Sequence, residues 1–134
     1  MTLAHGPSHL LRAVVEGLAC ELARHLMLLI EAGFPIHRLT MCGSAAASRR
    51  TPQIIADVTG RLVVCVETFD TSALGAAVVA QALVEKNVDL AQLAGQCPSI
   101  KATFHPGPDR TCYQRLFERY MQPFAVGDSG VIVP

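Results

Sequence analysis

MCGSAAASRRTPQIIADVTGRLVVCVE, residues 41–67, reads as the end of a strand, a turn of small residues, a helix and a second strand. Gly43 to Ser48 carries almost no side-chain bulk directly after the first strand. A chain that thin is needed where a ligand lies along the backbone, or where two pieces of protein approach closely. Leu62–Val66, LVVCV, is a continuous apolar run of the kind found in a buried parallel strand. Between them a helix is expected over Thr51–Thr59, with Pro52 suited to its first turn and Gly60 to its C-terminal cap.

Working outward, Ile36–Cys42 reads as a strand with Leu39 and Met41 inward. Before it, a long helix is expected from Ser8 to Ala32, started by Pro7 and Ser8 and stopped by Gly33 and Pro35. Its apolar residues cover most of the circumference, which predicts burial on more than one side. Its charges fall into two groups, Arg12 with Glu16 and Glu21 with Arg24 and His25. Downstream, DTSALGAAVVAQALVEK reads as a helix capped by Asp70 or Thr71, whose small residues let a neighbour come close. A shorter helix is expected near Val88–Ala94, and ATFHPGPDR reads as loop. DRTCYQRLFERYMQPF forms a last helix with Tyr113, Leu116, Phe117 and Tyr120 on one face. This organisation is one partial domain over residues 1–124 and an irregular tail over 125–134.

Alternation of helix and strand gives an α/β class. Yet only two strands are legible, both interior in character, and a two-stranded parallel sheet does not normally stand alone. Further strands are therefore expected beside them, outside this chain.

At 134 residues the chain makes at most one domain, and its 51% apolar content is enough for a core. Eleven basic residues balance eleven acidic ones without a basic stripe, which argues against a nucleic-acid partner. The five cysteines form no C-x-x-C pair, so neither a disulfide framework nor a zinc site is expected, and reduced thiols point to the cytoplasm. Charges at Arg12, Glu16, Glu21 and Arg24 interrupt the apolar run Leu10–Ile30, which excludes it as a membrane span, and no targeting segment is recognisable.

The small-residue turn has neither the Gly-Lys-Ser/Thr of a P-loop nor a G-x-G-x-x-G, so its residues leave phosphate binding and close packing both open. His5 and His9 have metal-ligand spacing, but no third ligand is near and Gly6-Pro7 separates them, which favours capping or loop roles. Asp57 has no acidic partner in sequence and reads as structural, Arg49 and Arg50 as solvating the turn, and the last helix's aromatic face as core. No catalytic constellation and no metal-ligand set is assigned.

Taken in order, these pieces resemble the C-terminal domain of the FGGY family of carbohydrate kinases, its xylulokinase-like branch most of all. HLLRAVVEG (His9–Gly17) is similar to the second half of that family's C-terminal signature. CGSAAAS…QIIADVTGRLV is similar to its G-G-G-A-x-S…Q-x-x-A-D-x-x-G-x-x-V, ETFDTSALGAAVVA to its E-x-x-E-x-x-A-L-G-A-A-x-x-A, and DRTCYQRLFERY to its closing helix. The resemblance implies a partial actin-like ATPase (ribonuclease-H-like) fold: a long helix, then β-α-β-α, then a C-terminal helix. It also implies ATP and Mg2+ as cofactors and a sugar substrate, met in a cleft between two domains.

On this resemblance the nucleotide-binding residues are Gly43, Ser44, Ala45, Ala46 and Ser48. Gly43, Ser44 and Ala45 fall on three family glycines, Ala46 on the alanine and Ser48 on the polar position. The family's catalytic aspartate and most of its sugar site belong to sequence upstream of this chain, so no catalytic residue is assigned. Ser44 and Ala45 depart from glycine, and side chains there would resist positive φ; Thr51 stands where the family commonly has an aromatic. The expected function is the C-terminal nucleotide-binding portion of an ATP-dependent sugar kinase, inactive alone. The alternative is an interaction module that pairs with another chain and no longer binds nucleotide. In either case an uncovered sheet edge at Leu62–Val66 and an uncovered long helix predict self-association, or pairing with a missing N-terminal part.

Overall fold

Pro7 begins the long helix, α1 (Pro7–Glu31), of a computed structural model that describes residues 6–67, 70–85, 89–96 and 99–124. Proline suits this first position, where its missing N–H leaves no helical bond unmade. Gly6 supplies the cap: its carbonyl accepts from the His9 N–H at 3.0 Å, and its own N–H donates to His9 Nδ1 at 3.2 Å. His9 is thus a capping residue, while His5 lies outside the described residues. The helix ends before Gly33, whose φ of +91° few residues besides glycine adopt readily.

After α1 come β1 (Arg38–Met41), a short helix α2 (Gly43–Ala47), α3 (Arg50–Thr59) and β2 (Leu62–Val66). Then follow α4 (Thr71–Val84), α5 (Leu90–Gln96), β3 (Ile100–Phe104) and α6 (Arg110–Met121), which runs into a 3₁₀ turn, Gln122–Phe124. The strands lie in the order β1-β2-β3. β1 and β2 are parallel, with Leu39 opposite Val63 and Met41 opposite Cys65. β2 and β3 are antiparallel, with Val63 opposite Phe104 and Cys65 opposite Ala102.

Three expectations are corrected by this sheet. The stretch read as loop from Ala102 contains a third strand, because Ala102 and Phe104 alternate inward onto the core while Lys101 and Thr103 face out. β2 is the central strand rather than an uncovered edge, since β3 occupies its other side. β1, expected to be interior, is an edge strand among the described residues. The shorter helix is also displaced, from Val88–Ala94 to α5, and Val88 itself lies outside the described residues.

The core is built on both faces of α3. Toward the sheet, Ala46, Ala56, Val63 and Cys65 are buried together with Leu39, Met41, Ile55, Ala102 and Phe104 packed around them. Toward the other side, Ala19, Cys20 and Ala23 of α1 meet Val58 of α3 and Tyr113 of α6, with Leu116, Phe117 and Tyr120 against them. The last helix therefore uses the aromatic face expected of it. Burying a valine such as Val63 completely is worth about 1.5–3 kcal/mol.

α1 does not fulfil its expected burial on several sides. Both α3 and α6 pack on one face of it, that of Ala19, Cys20, Ala23 and Leu26. Leu10, Leu11, Val14 and Leu18 are left exposed, Leu18 by 67%. α4 is likewise uncovered: none of its residues is buried, and a side chain at Gly75 would meet nothing within 4 Å. The residues of the irregular tail, 125–134, lie outside the described ones.

Candidate functional site

The thin turn is a helix of little more than one turn. Cys42, directly after β1, is extended (φ −137°, ψ 175°) and leads into α2, which opens at Gly43 with φ +74°. Glycine is needed there, since an L side chain at that φ is strained. Ser44 and Ala45 follow inside the helix, where negative φ is normal. In this conformation the turn thus asks for one glycine, and the two replaced glycines carry no backbone strain.

The five residues assigned to nucleotide binding separate into three settings. Gly43, Ser44 and Ala45 lie at the surface, Gly43 half-buried. Ala46 points into the core beside Ala56, Val63 and Cys65, so its side chain supports the turn from beneath. Ser48 caps α3: its Oγ accepts from the N–H groups of Arg50 at 3.2 Å and Thr51 at 3.3 Å. The thin stretch thus serves close packing at Ala46 and exposes backbone at Gly43–Ala45.

One contact at this end escaped the sequence reading. Thr71 Oγ1 donates to Cys42 Sγ at 3.2 Å, joining the first residue of α4 to the residue before Gly43. Asp70 caps α4 as expected, its Oδ1 accepting from the Ala73 N–H at 3.1 Å. Twenty-nine positions separate Cys42 from Thr71, and no local pattern signals such a contact.

Asp57 is structural. Only 4% exposed, its Oδ1 accepts from the Gly107 N–H at 2.6 Å and from Gln53 Nε2 at 3.0 Å. Arg49 and Arg50 are exposed, in keeping with a solvated turn. An open groove of about 720 Å³ is lined by the first turns of α1 and α3, Asp57, Asp109 and Tyr113. It reaches Arg49 but none of Gly43, Ser44, Ala45, Ala46 or Ser48, so this groove and the thin turn are separate features.

Charged groups cluster elsewhere, along the seam of α1 and α6. Arg12 pairs with Glu16 at 2.7 Å and donates to the Tyr113 hydroxyl at 3.0 Å, which in turn donates to Glu16 at 2.9 Å. One turn further, Glu21 pairs with Arg24 at 2.5 Å and accepts from the Tyr120 hydroxyl. The Arg24 guanidinium, and then Tyr120, hold the Glu21 carboxyl down to about 2. Burial, and then the bond to Glu16, push the Tyr113 hydroxyl above its usual range. These groups are saturated with one another and fasten α6 to α1. Among the described residues no group of three or more His, Cys, Asp or Glu is placed to hold a metal ion.

Comparison with known proteins agrees with this geometry. The family model described as the FGGY family of carbohydrate kinases, C-terminal domain, matches residues 1–83. A xylulose kinase of Escherichia coli (strain K12) is 29% identical over 129 residues, which is 90% of this chain and 27% of that protein. The crystal structure of xylulose kinase from Rhodospirillum rubrum superposes with a TM-score of 0.72 at 26% identity, over 92% of this chain and 27% of that one. Plasmodium falciparum glycerol kinase with ADP superposes with a TM-score of 0.71 at 22% identity, over 95% of this chain and 26% of that one, a likeness of fold. The chain spans about a quarter of the length of the curated relatives it matches. Its fold is that of the actin-like sugar kinases. With the family model covering more than half of it, the chain belongs to the FGGY family of carbohydrate kinases, as C-terminal domain sequence.

Proposed function

We propose that this chain supplies one wall of the nucleotide pocket of an ATP-dependent sugar kinase of xylulokinase type, and that it does not transfer phosphate alone. The observation that carries this reading is Gly43: a positive-φ glycine at the carboxyl end of a parallel strand, opening onto exposed backbone and two small side chains. In open α/β sheets ligands lie outside the carboxyl ends of the parallel strands. The structurally similar glycerol kinase was crystallised with ADP, which accords with a nucleotide there.

Gly43, Ser44 and Ala45 suit an adenosine phosphate because they leave room for its close approach and present backbone rather than bulk. Ala46 and Ser48 act one layer down, holding the turn in shape through the core and the α3 cap. Mg2+ belongs to this reading as the ion that accompanies ATP, carried by the phosphates and by groups of the intact kinase; among the described residues no group of three or more His, Cys, Asp or Glu is placed to hold a metal ion. Phosphoryl transfer needs the acceptor hydroxyl, its base and the phosphates positioned together. The base and the sugar would come from the remainder of an intact kinase. A cytoplasmic location belongs to the same reading; among the described residues no helix is long and apolar enough to cross a membrane.

A second reading is favoured by the exposed Leu10, Leu11, Val14 and Leu18 and by the edge of β1, unpaired among the described residues: the chain acts by pairing with a further polypeptide or with itself. Titration calorimetry with Mg-ATP on the chain and on the double variant Ser44→Gly/Ala45→Gly separates the two. Binding by the original chain is expected, without improvement in the variant, because both positions are already helical. Absence of binding by either protein would mean that this wall holds no nucleotide by itself. The pocket would then be made by the strands and the opposite domain of an intact kinase, which favours the pairing reading for the chain alone.

A further inference from the structure

We infer that Thr71 and Cys42 form the tie that seats the start of α4 against the candidate nucleotide turn, making both of them positioning residues. The inference rests on the reading of Gly43–Ala45 as a ligand-bearing surface. α4 has no buried residue, and its one extensive packing surface among the described elements is α5. The Thr71 Oγ1 to Cys42 Sγ bond of 3.2 Å is therefore a direct link between α4 and the β1–α2 junction. It acts at a sensitive place. Cys42 is the last extended residue before Gly43, so a bond to its side chain holds the chain at the point where it enters the turn. Asp70 fixes the other side of the link by capping α4, which sets the direction in which Thr71 presents its hydroxyl.

Sulfur is a weak acceptor, so the tie is adjustable rather than rigid. A hydroxyl in place of the thiol would strengthen it, and loss of the Thr71 hydroxyl would free the thiol.

The test uses the full 134-residue chain and the variants Thr71→Val, Thr71→Ser, Cys42→Ser and Cys42→Ala. Peptide-resolved alkylation by iodoacetamide compares Cys42 with Cys112, the other exposed thiol among the described residues. Hydrogen exchange compares amides of the turn with those of β2. Thr71→Val is expected to change the rate of Cys42 alkylation, since the hydroxyl donated to its sulfur is lost, with Cys112 unchanged, and to speed exchange in the turn but not in β2. Thr71→Ser should restore both, and Cys42→Ser should slow exchange in the turn. Equal Cys42 alkylation and equal turn exchange in Thr71→Val and the original chain would overturn the tie. If Thr71→Val fails to fold, Cys42→Ala carries the same comparison by exchange alone. Mg-ATP titration of the same set is read separately: absence of nucleotide binding in every protein would deny the turn a nucleotide in the chain alone, while alkylation and exchange still decide the tie.

Discussion

Asp57 Oδ1 lies 2.6 Å from the backbone nitrogen of Gly107, joining the third turn of α3 to the loop between β3 and α6. Gln53 completes the junction, its Nε2 donating both to Asp57 Oδ1 at 3.0 Å and to the His105 carbonyl at 2.9 Å. The part of the stretch read from sequence as loop that follows β3 is thus held at two backbone groups by one face of α3. Asp57→Ala would leave the Gly107 N–H without its partner in a nearly buried site. A loss of about 2–3 kcal/mol is expected, seen as a lower urea midpoint with an unchanged slope. Asp57→Asn keeps an acceptor oxygen and should cost about half as much. Equal stability of the alanine variant and the original chain would show that water replaces the carboxylate freely.

Gly60 is the second such constraint. Its φ of +65° closes α3 in the left-handed conformation, and its N–H donates to the Ala56 carbonyl at 2.9 Å. A methyl group there would also overlap the Arg110 guanidinium. Gly60→Ala should therefore destabilise by about 1–2 kcal/mol from backbone strain, plus whatever Arg110 loses by moving. Because the arginine is long and flexible, Gly60→Ala/Arg110→Ala is expected to recover only a small part. Thermal denaturation of the original chain and the two variants separates strain from contact.

Those two positions differ in how far they could be read from sequence. Gly60 follows a helical pattern and precedes an apolar strand, a local signal, and the structure places it in the predicted cap. The partner loop of Asp57 is fifty positions away and carries no local mark. β3 was hidden for a related reason: Lys101 and Thr103 alternate with Ala102 and Phe104 over five residues beside Pro106 and Gly107, and pairing with β2 decides the matter. Small residues did mark the turn at Gly43–Ser48, but composition could not tell Ala46, turned inward, from Ala45 at the surface. Apolar periodicity in α1 recorded a surface suited to burial on several sides, and the described elements cover one of them.

Acid should loosen the seam between α1 and α6 at its Glu21 end. The carboxyl is held down to about 2, against 4.5 for the free side chain, first by Arg24 and then by Tyr120. A depressed carboxylate contributes stability that is present above its unfolded value and is lost as pH falls through the folded one. The loss should therefore run from about 4.5 toward 2. Tyr120 lies tilted against Phe124, with ring centroids 5.6 Å apart, and Arg24 lies 5.0 Å over the Phe124 ring, so the near-ultraviolet tyrosine signal reports the change. Glu21→Gln should flatten that pH dependence while leaving the signal near neutrality largely intact. An unchanged acid transition in Glu21→Gln would assign it to other carboxylates.

The exposed face of α1 gives the sharpest test of what this chain does when nothing covers it. Leu11 and Leu18 are 69% and 67% exposed and stand one heptad apart, on the side of the helix away from Ala19, Cys20 and Ala23. Replacing them by glutamine removes little buried surface within the chain, so the stability of Leu11→Gln/Leu18→Gln should stay within about 0.5 kcal/mol per site. An apolar stripe of this kind draws in a partner of similar character. The original chain is therefore expected to sediment with a weight that rises with concentration, and the double variant as a monomer over the same range. A variant that associates as strongly as the original would move the contact to the edge of β1 that is unpaired among the described residues, where Thr40→Lys places a charge at an exposed position of the strand and should then abolish it. A variant that fails to fold would mean that this face is already covered from within the chain, and the pairing reading would lose its ground.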